Sequence, residues 1–374
     1  MRIGLNALQI RAAKSGVGQY IAGLIDGLLQ CMPAEDRLVI YATRETAPNY
    51  KRHDPRVELR VFSPQARRAA QLLHEWFFLP GQIARDHIDV FHGPSNFLPR
   101  HCPCPAVVTI HDASRQVDPS RFTRANLLYW AYMMRHTVRM NTPVITVSHA
   151  AAADLQKHLQ IAPERIRVIY EAAHAHFSAQ PSPDDAVILE RLGVRRPYLL
   201  NVATLEPGKN TVRLIEAYAR YRRAVAQPAT LVLAGDRGWK SEAVFETIER
   251  EGLREHVQYI GHVKDDALPA LFRGARFFLF PSLNEGFGLP PLEAMQCGTP
   301  VIAANSSSLP EVLGDAALYV NPLSVDDIAD KIIDLWNNDS LREELRTKGL
   351  QQAARYSWQK TGEQTLKVYR SLGA

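Results

Sequence analysis

Residues 277–320 read FFLFPSLNEGFGLPPLEAMQCGTPVIAANSSSLPEVLGDAALYV, and the fold is decided by how this stretch is parsed. Four apolar residues, Phe277 to Phe280, have the length and composition of a buried strand. The loop SLNEGFG follows, in which Gly286 and Gly288 let backbone amides come close to a ligand. Pro290 and Pro291 suit the first turn of a helix, where a missing N–H matters little. That helix carries Glu293 and stops at Gly298, with Pro300 just beyond. Val301 begins a second apolar strand. Strand, glycine loop, helix and strand make a βαβ unit, and sheets of such units take ligands outside the C-terminal ends of their strands.

Glu285 lies in the loop and Glu293 one turn into the helix, eight positions on, so both can face one mouth. Beside them stand the helix N-terminus, worth roughly half a positive charge, and the amides of Gly286, Phe287, Gly288 and Leu289. Anion-binding amides next to two carboxylates suit a ligand with a phosphate end and a polyhydroxyl end. A nucleotide-sugar is built that way. The plain alternative is that both glutamates only cap and solvate the helix.

A chain of 374 residues exceeds what one core usually serves, so two domains are expected. Hydrophobic residues make up 46% and charged residues 22%, the composition of an ordinary globular protein. The start lacks the apolar segment of a secretory leader, and no run reaches the ~18 apolar residues that span a bilayer. Four cysteines fit a reducing cytoplasm better than a disulfide framework. The pair in HisCysProCys (101–104) has neither the spacing nor the second ligand pair of a zinc site. From Arg60 to Arg139 there are ten arginines, no lysine and five acids, interleaved with Trp76, Phe77, Phe78, Tyr129 and Trp130. No nucleic-acid-binding motif accompanies them. Peripheral docking on an anionic membrane and a plain solvated face both remain open, since each basic residue near such a surface is worth about 1 kcal/mol.

Strand-like runs recur at Arg2 to Asn6, Leu38 to Ala42, Val57 to Phe62, Ile88 to Phe91, Ala106 to Ile110 and Val144 to Val147. Helical stretches alternate with them: one after Gly16ValGly18, with buried positions Ile21, Leu24, Ile25, Leu28 and Leu29, then about 66–85, 121–139 and 149–159. This alternation implies a mostly parallel sheet covered on both faces. Glu171 to Pro197, rich in proline and small polar residues, reads as a connector, with the linker proper at 176–196. A second α/β pattern runs from Tyr198 to about 356, with late helices near 325–337 and 339–355, before an amphipathic helix from Trp358.

Glu285 to Glu293 resembles the E-x7-E signature of the retaining family 4 glycosyltransferases of GT-B fold. GlyThrProValIleAla (298–303) and SerSerLeuProGluVal (307–312) continue the resemblance, which extends more weakly over nearly the whole chain. It implies an α/β architecture of two Rossmann-like domains, 1–175 and 197–356, with an interdomain cleft. Helix 357–374 is then expected to cross back to the first domain. Each candidate residue falls after a strand. Gly16 and Gly18 open a helix, where amides can meet a diphosphate, although a glycine pair is also a common tight turn. His111-Asp112 follows a strand, where a histidine commonly bonds a nearby carbonyl. The resemblance instead places His111 beneath the donor sugar, steadying developing charge, with Asp112 orienting it or the loop. Thr204 and Lys209 follow the first strand of the second pattern. A lysine there suits the β-phosphate, although Gly208 stands where the family commonly has arginine. Gly235 and Val263, in AlaGlyAspArgGlyTrp and TyrIleGlyHisVal, resemble the loops that pack on the nucleotide and read its base through the backbone. Ser148 reads as a helix N-cap.

The resemblance thus implies a donor gripped by Glu293 at the ribose, Glu285 at the sugar and Lys209 at the diphosphate. No Asp-x-Asp triplet occurs, so neither a metal nor another cofactor is expected. Overall the chain looks most like bacterial mannosyl- and rhamnosyltransferases of surface polysaccharide assembly. That implies a GDP-linked hexose donor and a lipid-linked oligosaccharide acceptor, handled in the cytoplasm at the inner membrane face. A UDP-sugar-dependent transferase, a GT-B epimerase and an idle nucleotide-sugar-binding subunit are the alternatives.

Overall fold

A computed structural model of the chain describes residues 1–8, 16–62 and 74–373. They divide into two compact units, Met1–Ala172 with Ser357–Ala374, and Ala173–Tyr356. Seven strands build the first unit: β1 (Arg2–Asn6), β2 (Arg37–Thr43), β3 (Val57–Phe62), β4 (Val90–Gly93), β5 (Ala106–Thr109), β6 (Val144–Thr146) and β7 (Ile166–Val168). They pair in parallel in the order β3-β2-β1-β4-β5-β6-β7. Parallel strands need crossovers, and the helices of those crossovers cover both faces. The interior strands are therefore apolar along their length, as Ile3, Leu5, Val39, Val107 and Val108 are, all inaccessible to solvent.

β7 escapes a sequence reading because it has only three residues and its central Arg167 is exposed. Of the helical stretch expected near 66–85, residues 63–73 lie outside the described residues, and the rest is a π-turn, His74–Phe78, running into a helix, Leu79–Arg85.

The terminal helix, Trp358–Leu372, belongs to the first unit and packs on the helix Gly16–Cys31. Glycine makes the crossing close. A Cβ at Gly27 would stand 1.9 Å from the carbonyl oxygen of Trp358, and one at Gly362 would stand 2.3 Å from the Gly27 carbonyl carbon. Backbone therefore lies on backbone there. Below the crossing runs a buried polar line. Tyr369 Oη is 2.6 Å from His92 Nδ1, His92 Nε2 is 2.8 Å from Thr109 Oγ1, and Thr109 Oγ1 is 3.0 Å from Tyr20 Oη. Burial, with the nearby His111 charge, pushes the His92 pKa down to about 3, so this imidazole is neutral in ordinary buffers.

Six parallel strands build the second unit: β8 (Tyr198–Val202), β9 (Thr230–Ala234), β10 (Val257–Gly261), β11 (Phe277–Phe280), β12 (Val301–Ala304) and β13 (Ala317–Val320). Their order is β10-β9-β8-β11-β12-β13, with the reversal of winding between β8 and β11. Such a reversal opens a crevice at the C-terminal ends of the strands. Residues 176–196 are not a bare linker. They contain the helix Asp185–Arg191, fixed to the second unit where Arg273 donates from Nε (2.8 Å) and Nη2 (2.5 Å) to the Asp185 carboxylate. Composition misleads at this point because the proline and small polar residues lie ahead of the helix, whose own sequence, DAVILER, is mostly apolar.

Candidate active site

The loop after β11 is shaped by its neighbours. Gly288 adopts φ +103°, a left-handed conformation that glycine tolerates, and it starts the helix Leu289–Gln296 with Pro290 and Pro291 in the first turn. The serines after β12 then hold the loop in place. Ser307 Oγ accepts from the Glu285 amide (2.9 Å), and Ser308 Oγ lies 3.0 Å from the Glu285 carbonyl and 2.9 Å from that of Phe287, donating to them. The Leu283 amide donates to Gly208 O (2.9 Å), tying this loop to the one after β8.

That tie brings two charged side chains together. Lys209 Nζ donates to Glu285 Oε1 at 2.6 Å, with the two side chains 22% and 12% exposed. The lysine also lies 5.6 Å from the Phe280 ring centroid. Asn210, with φ +60°, donates through Nδ2 to Pro281 O and Pro322 O, which fixes the turn that aims Lys209. Glu293 is buried one turn into its helix. The sequence reading gave Lys209 to a phosphate and Glu285 to a sugar as separate contacts; here they are one ion pair.

Thr204, Gly235 and Val263 follow β8, β9 and β10, so they share this sheet edge with Lys209, Glu285 and Gly286 to Leu289. Thr204 is exposed and Val263 buried. Gly235 has a structural reason of its own. Its φ is +134°, and a Cβ would stand 2.1 Å from Ala203 O, while its amide donates to Gly261 O at 2.7 Å.

Gly16, Gly18 and His111 belong to the first unit. Gly16 and Gly18 form the first turn of their helix, Gly16 exposed and Gly18 buried, and the loop before them falls outside the described residues. The same helix carries Tyr20, whose ring meets His111 edge-on with centroids 4.7 Å apart. His111 Nε2 lies 2.9 Å from Pro94 O and its Nδ1 3.2 Å from Glu171 Oε1. A carbonyl and a carboxylate only accept, so both contacts are satisfied when the ring carries two protons. Burial opposes that charge, but hydrogen bonding to Glu171, the Glu171 charge, the Pro94 carbonyl and Asp112 outweigh it and raise the pKa. Asp112 accepts from the Ser114 amide and so orders the loop. Ser148 Oγ accepts from the Ala151 amide as an N-cap.

Residues 190–352 match the family model described as glycosyl transferases group 1, and residues 14–174 match that of glycosyltransferase family 4. An Escherichia coli O-antigen chain mannosyltransferase B is 33% identical over 290 residues, covering 77% of this chain and 76% of that one. This chain belongs to the family 4 glycosyltransferases. A mannosyltransferase of Mycolicibacterium hassiacum, MMP alpha-(1->4)-mannosyltransferase, is 28% identical over 71% of the transferase and 65% of its own length. The solved structure of Anabaena HepE in complex with UDP-glucose superposes with a TM-score of 0.76 at 19% identity over the whole of both chains. The architecture is GT-B.

Several residues that shape the transferase's sites carried no local signal. Glu171, read as part of a connector, is the carboxylate on His111, and Tyr20, Pro94 and Asn96 also contact that histidine. Ser307 and Ser308 were noted only as part of a resemblance, yet they hold the Glu285 backbone. Among the described residues, no three His, Cys, Asp or Glu side chains cluster as metal ligands.

Proposed function

We propose that this glycosyltransferase moves a hexose, mannose in the first instance, from a GDP-linked donor to a lipid-linked oligosaccharide with retention at the anomeric carbon. The observation that carries the reading is the Lys209–Glu285 pair, part-buried at the C-terminal sheet edge and held by Ser307 and Ser308. A cation and a carboxylate in contact offer complementary groups to the two ends of a sugar diphosphate. Lys209 donates to a phosphate oxygen, Glu285 accepts from sugar hydroxyls, and Glu293 accepts from ribose hydroxyls.

As the anomeric C–O bond breaks, the sugar becomes oxocarbenium-like and the electron pair leaves with the diphosphate. Lys209 and the N-terminus of the helix Leu289–Gln296 stabilise that developing charge, an effect worth about 3 kcal/mol for one well-placed donor. The acceptor hydroxyl oxygen forms the new bond on the face the diphosphate vacates, and its proton passes to a phosphate oxygen. His111, between Glu171 and Pro94, has a raised pKa that favours its positively charged form, and in that form it steadies developing charge. Mannose and the O-antigen setting follow from the relatives' names, and Lys209 with helix termini makes transfer independent of metal.

The acceptor's lipid end suits a face of the first unit. Phe77, Phe78, Leu128 and Tyr132 are 55%, 67%, 73% and 63% exposed, Trp76 stacks on Tyr132 at 5.6 Å, and Arg100 lies over Phe77 at 5.7 Å. Aromatic side chains interleaved with arginine suit a membrane interface. Among the described residues no helix is long and apolar enough to cross a membrane.

The test is a donor panel scored by slow hydrolysis, repeated with chelator. GDP-mannose should turn over fastest and survive chelation. Preference for a UDP-sugar removes the donor assignment, and loss of activity restored by manganese removes the metal-free mechanism. No hydrolysis of any donor overturns the transferase chemistry.

A further inference from the structure

A cavity of about 780 Å³ lies in the second unit, away from the candidate active site. Part of its wall comes from residues that precede strands, Arg195 and Arg196 before β8, Arg273 before β11, and Cys297 and Gly298 before β12, and Arg346 joins them from the helix Asp339–Ala353. The donor-site candidates all follow strands, so the cavity sits at the opposite edge of the sheet. Its volume falls in the range of about 300–1,000 Å³ typical of small-molecule sites.

The charges in it are unbalanced. Arg273 is held by the Asp185 carboxylate and by Ser178 O (2.8 Å), and this rigid pair cancels itself. Arg195, Arg196 and Arg346 remain, with Glu190 as the opposing acid on the wall. Arg346 reaches Glu343 at 3.3 Å on a surface where both are about half exposed or more, a pair worth little. Arg195 and Arg196 make no side-chain hydrogen bond or ion pair among the described residues. Arg195 and Arg196 are exposed and line the cavity with Arg346; the Arg196 charge also acts on Asp185, and guanidinium groups of this kind take phosphate oxygens in a bidentate fork. Leu189 and Val194 line the same space and supply an apolar wall.

We propose that this cavity is a second binding site, taking an organic phosphate or diphosphate through Arg195, Arg196 and Arg346. The phosphate sits between the guanidinium groups and the organic part rests on Leu189 and Val194. The proposal stands whether or not the donor reading does.

Hydrogen exchange on the full chain tests it, with inorganic pyrophosphate as the soluble probe and vesicles of phosphatidylglycerol, against phosphatidylcholine, as the headgroup probe. Exchange over 181–196 should slow with pyrophosphate. In Arg195→Ala/Arg196→Ala that protection should need about tenfold more pyrophosphate or more, as expected for losing charge-assisted hydrogen bonds, while transfer without added pyrophosphate stays at the wild-type rate. Protection over 181–196 by phosphatidylglycerol vesicles alone would keep the site and assign the phosphate to a lipid headgroup. Unchanged exchange over 181–196 with both probes overturns the proposal, as does equal protection in the double variant. Protection confined to 204–210 and 285–293 also overturns it and leaves the donor site standing.

Discussion

Lys209→Met and Glu285→Gln, alone and together, measure the pair on which the proposed chemistry rests. At 2.6 Å and an effective dielectric of about 20, the gross attraction is about 6 kcal/mol. Desolvating a side chain that is 22% exposed and one that is 12% exposed takes back most of it. A net coupling of about 1–2 kcal/mol should remain. Lys209→Met leaves the Glu285 carboxylate poorly hydrated and unpaired, costing about 2 kcal/mol. For a unit of this size that lowers its melting temperature by about 4–8 °C. Glu285→Gln should cost less, about 1 kcal/mol, because lysine can still reach water. The double variant should melt no lower than Lys209→Met, since the orphaned charge is gone. Calorimetry of the second unit's transition reads the stabilities, and donor turnover reads the function. Each single change should lower turnover on the order of 10²-fold, and the double by less than the product, because the two act together. Strictly additive melting shifts, or near-normal turnover in Lys209→Met, would refute the reasoning.

Three further predictions are local. Gly27→Ala puts a methyl group 1.9 Å from the Trp358 carbonyl oxygen and should destabilise the first unit by about 2–3 kcal/mol; Gly16→Ala, with nothing within 4 Å among the described residues, should leave the melt unchanged. Ser308→Ala removes the hydroxyl that donates to the Glu285 and Phe287 carbonyls, and should cost about 1–2 kcal/mol with a fall in kcat as Glu285 loses its position. The two buried histidines of the first unit act in opposite directions with pH. His111 has a raised pKa, so its contribution is full below the unfolded value of about 6.5 and is lost as pH rises through the folded value. Glu171→Gln should abolish that loss in melts run upward from pH 6. His92, lowered to about 3, is present neutral, and its contribution fades as pH falls from about 6.5 toward 3. Its imidazole resonances should therefore stay in the neutral form at pH 5.

What was legible beforehand is what one side of one element can encode. The strand Phe277–Phe280, the turn at Gly288, the prolines of the helix Leu289–Gln296 and the helix Val325–Asn337 were all readable. Each rests on periodicity or on a backbone preference carried by its own residues. Through these local signals the sequence by itself determined an alternating α/β chain with Lys209, Glu285 and Glu293 near strand ends. It could not say which of them touch. The contact between Lys209 and Glu285 spans 76 positions and that between His111 and Glu171 spans 60, and neither pair leaves a periodic trace. Gly27 carries no signal along the chain, yet Trp358 and Gly362 need its missing side chain. Only the tertiary structure decided these, because burial and charge pairing depend on distance through space, whereas helix and strand signals depend on distance along the chain.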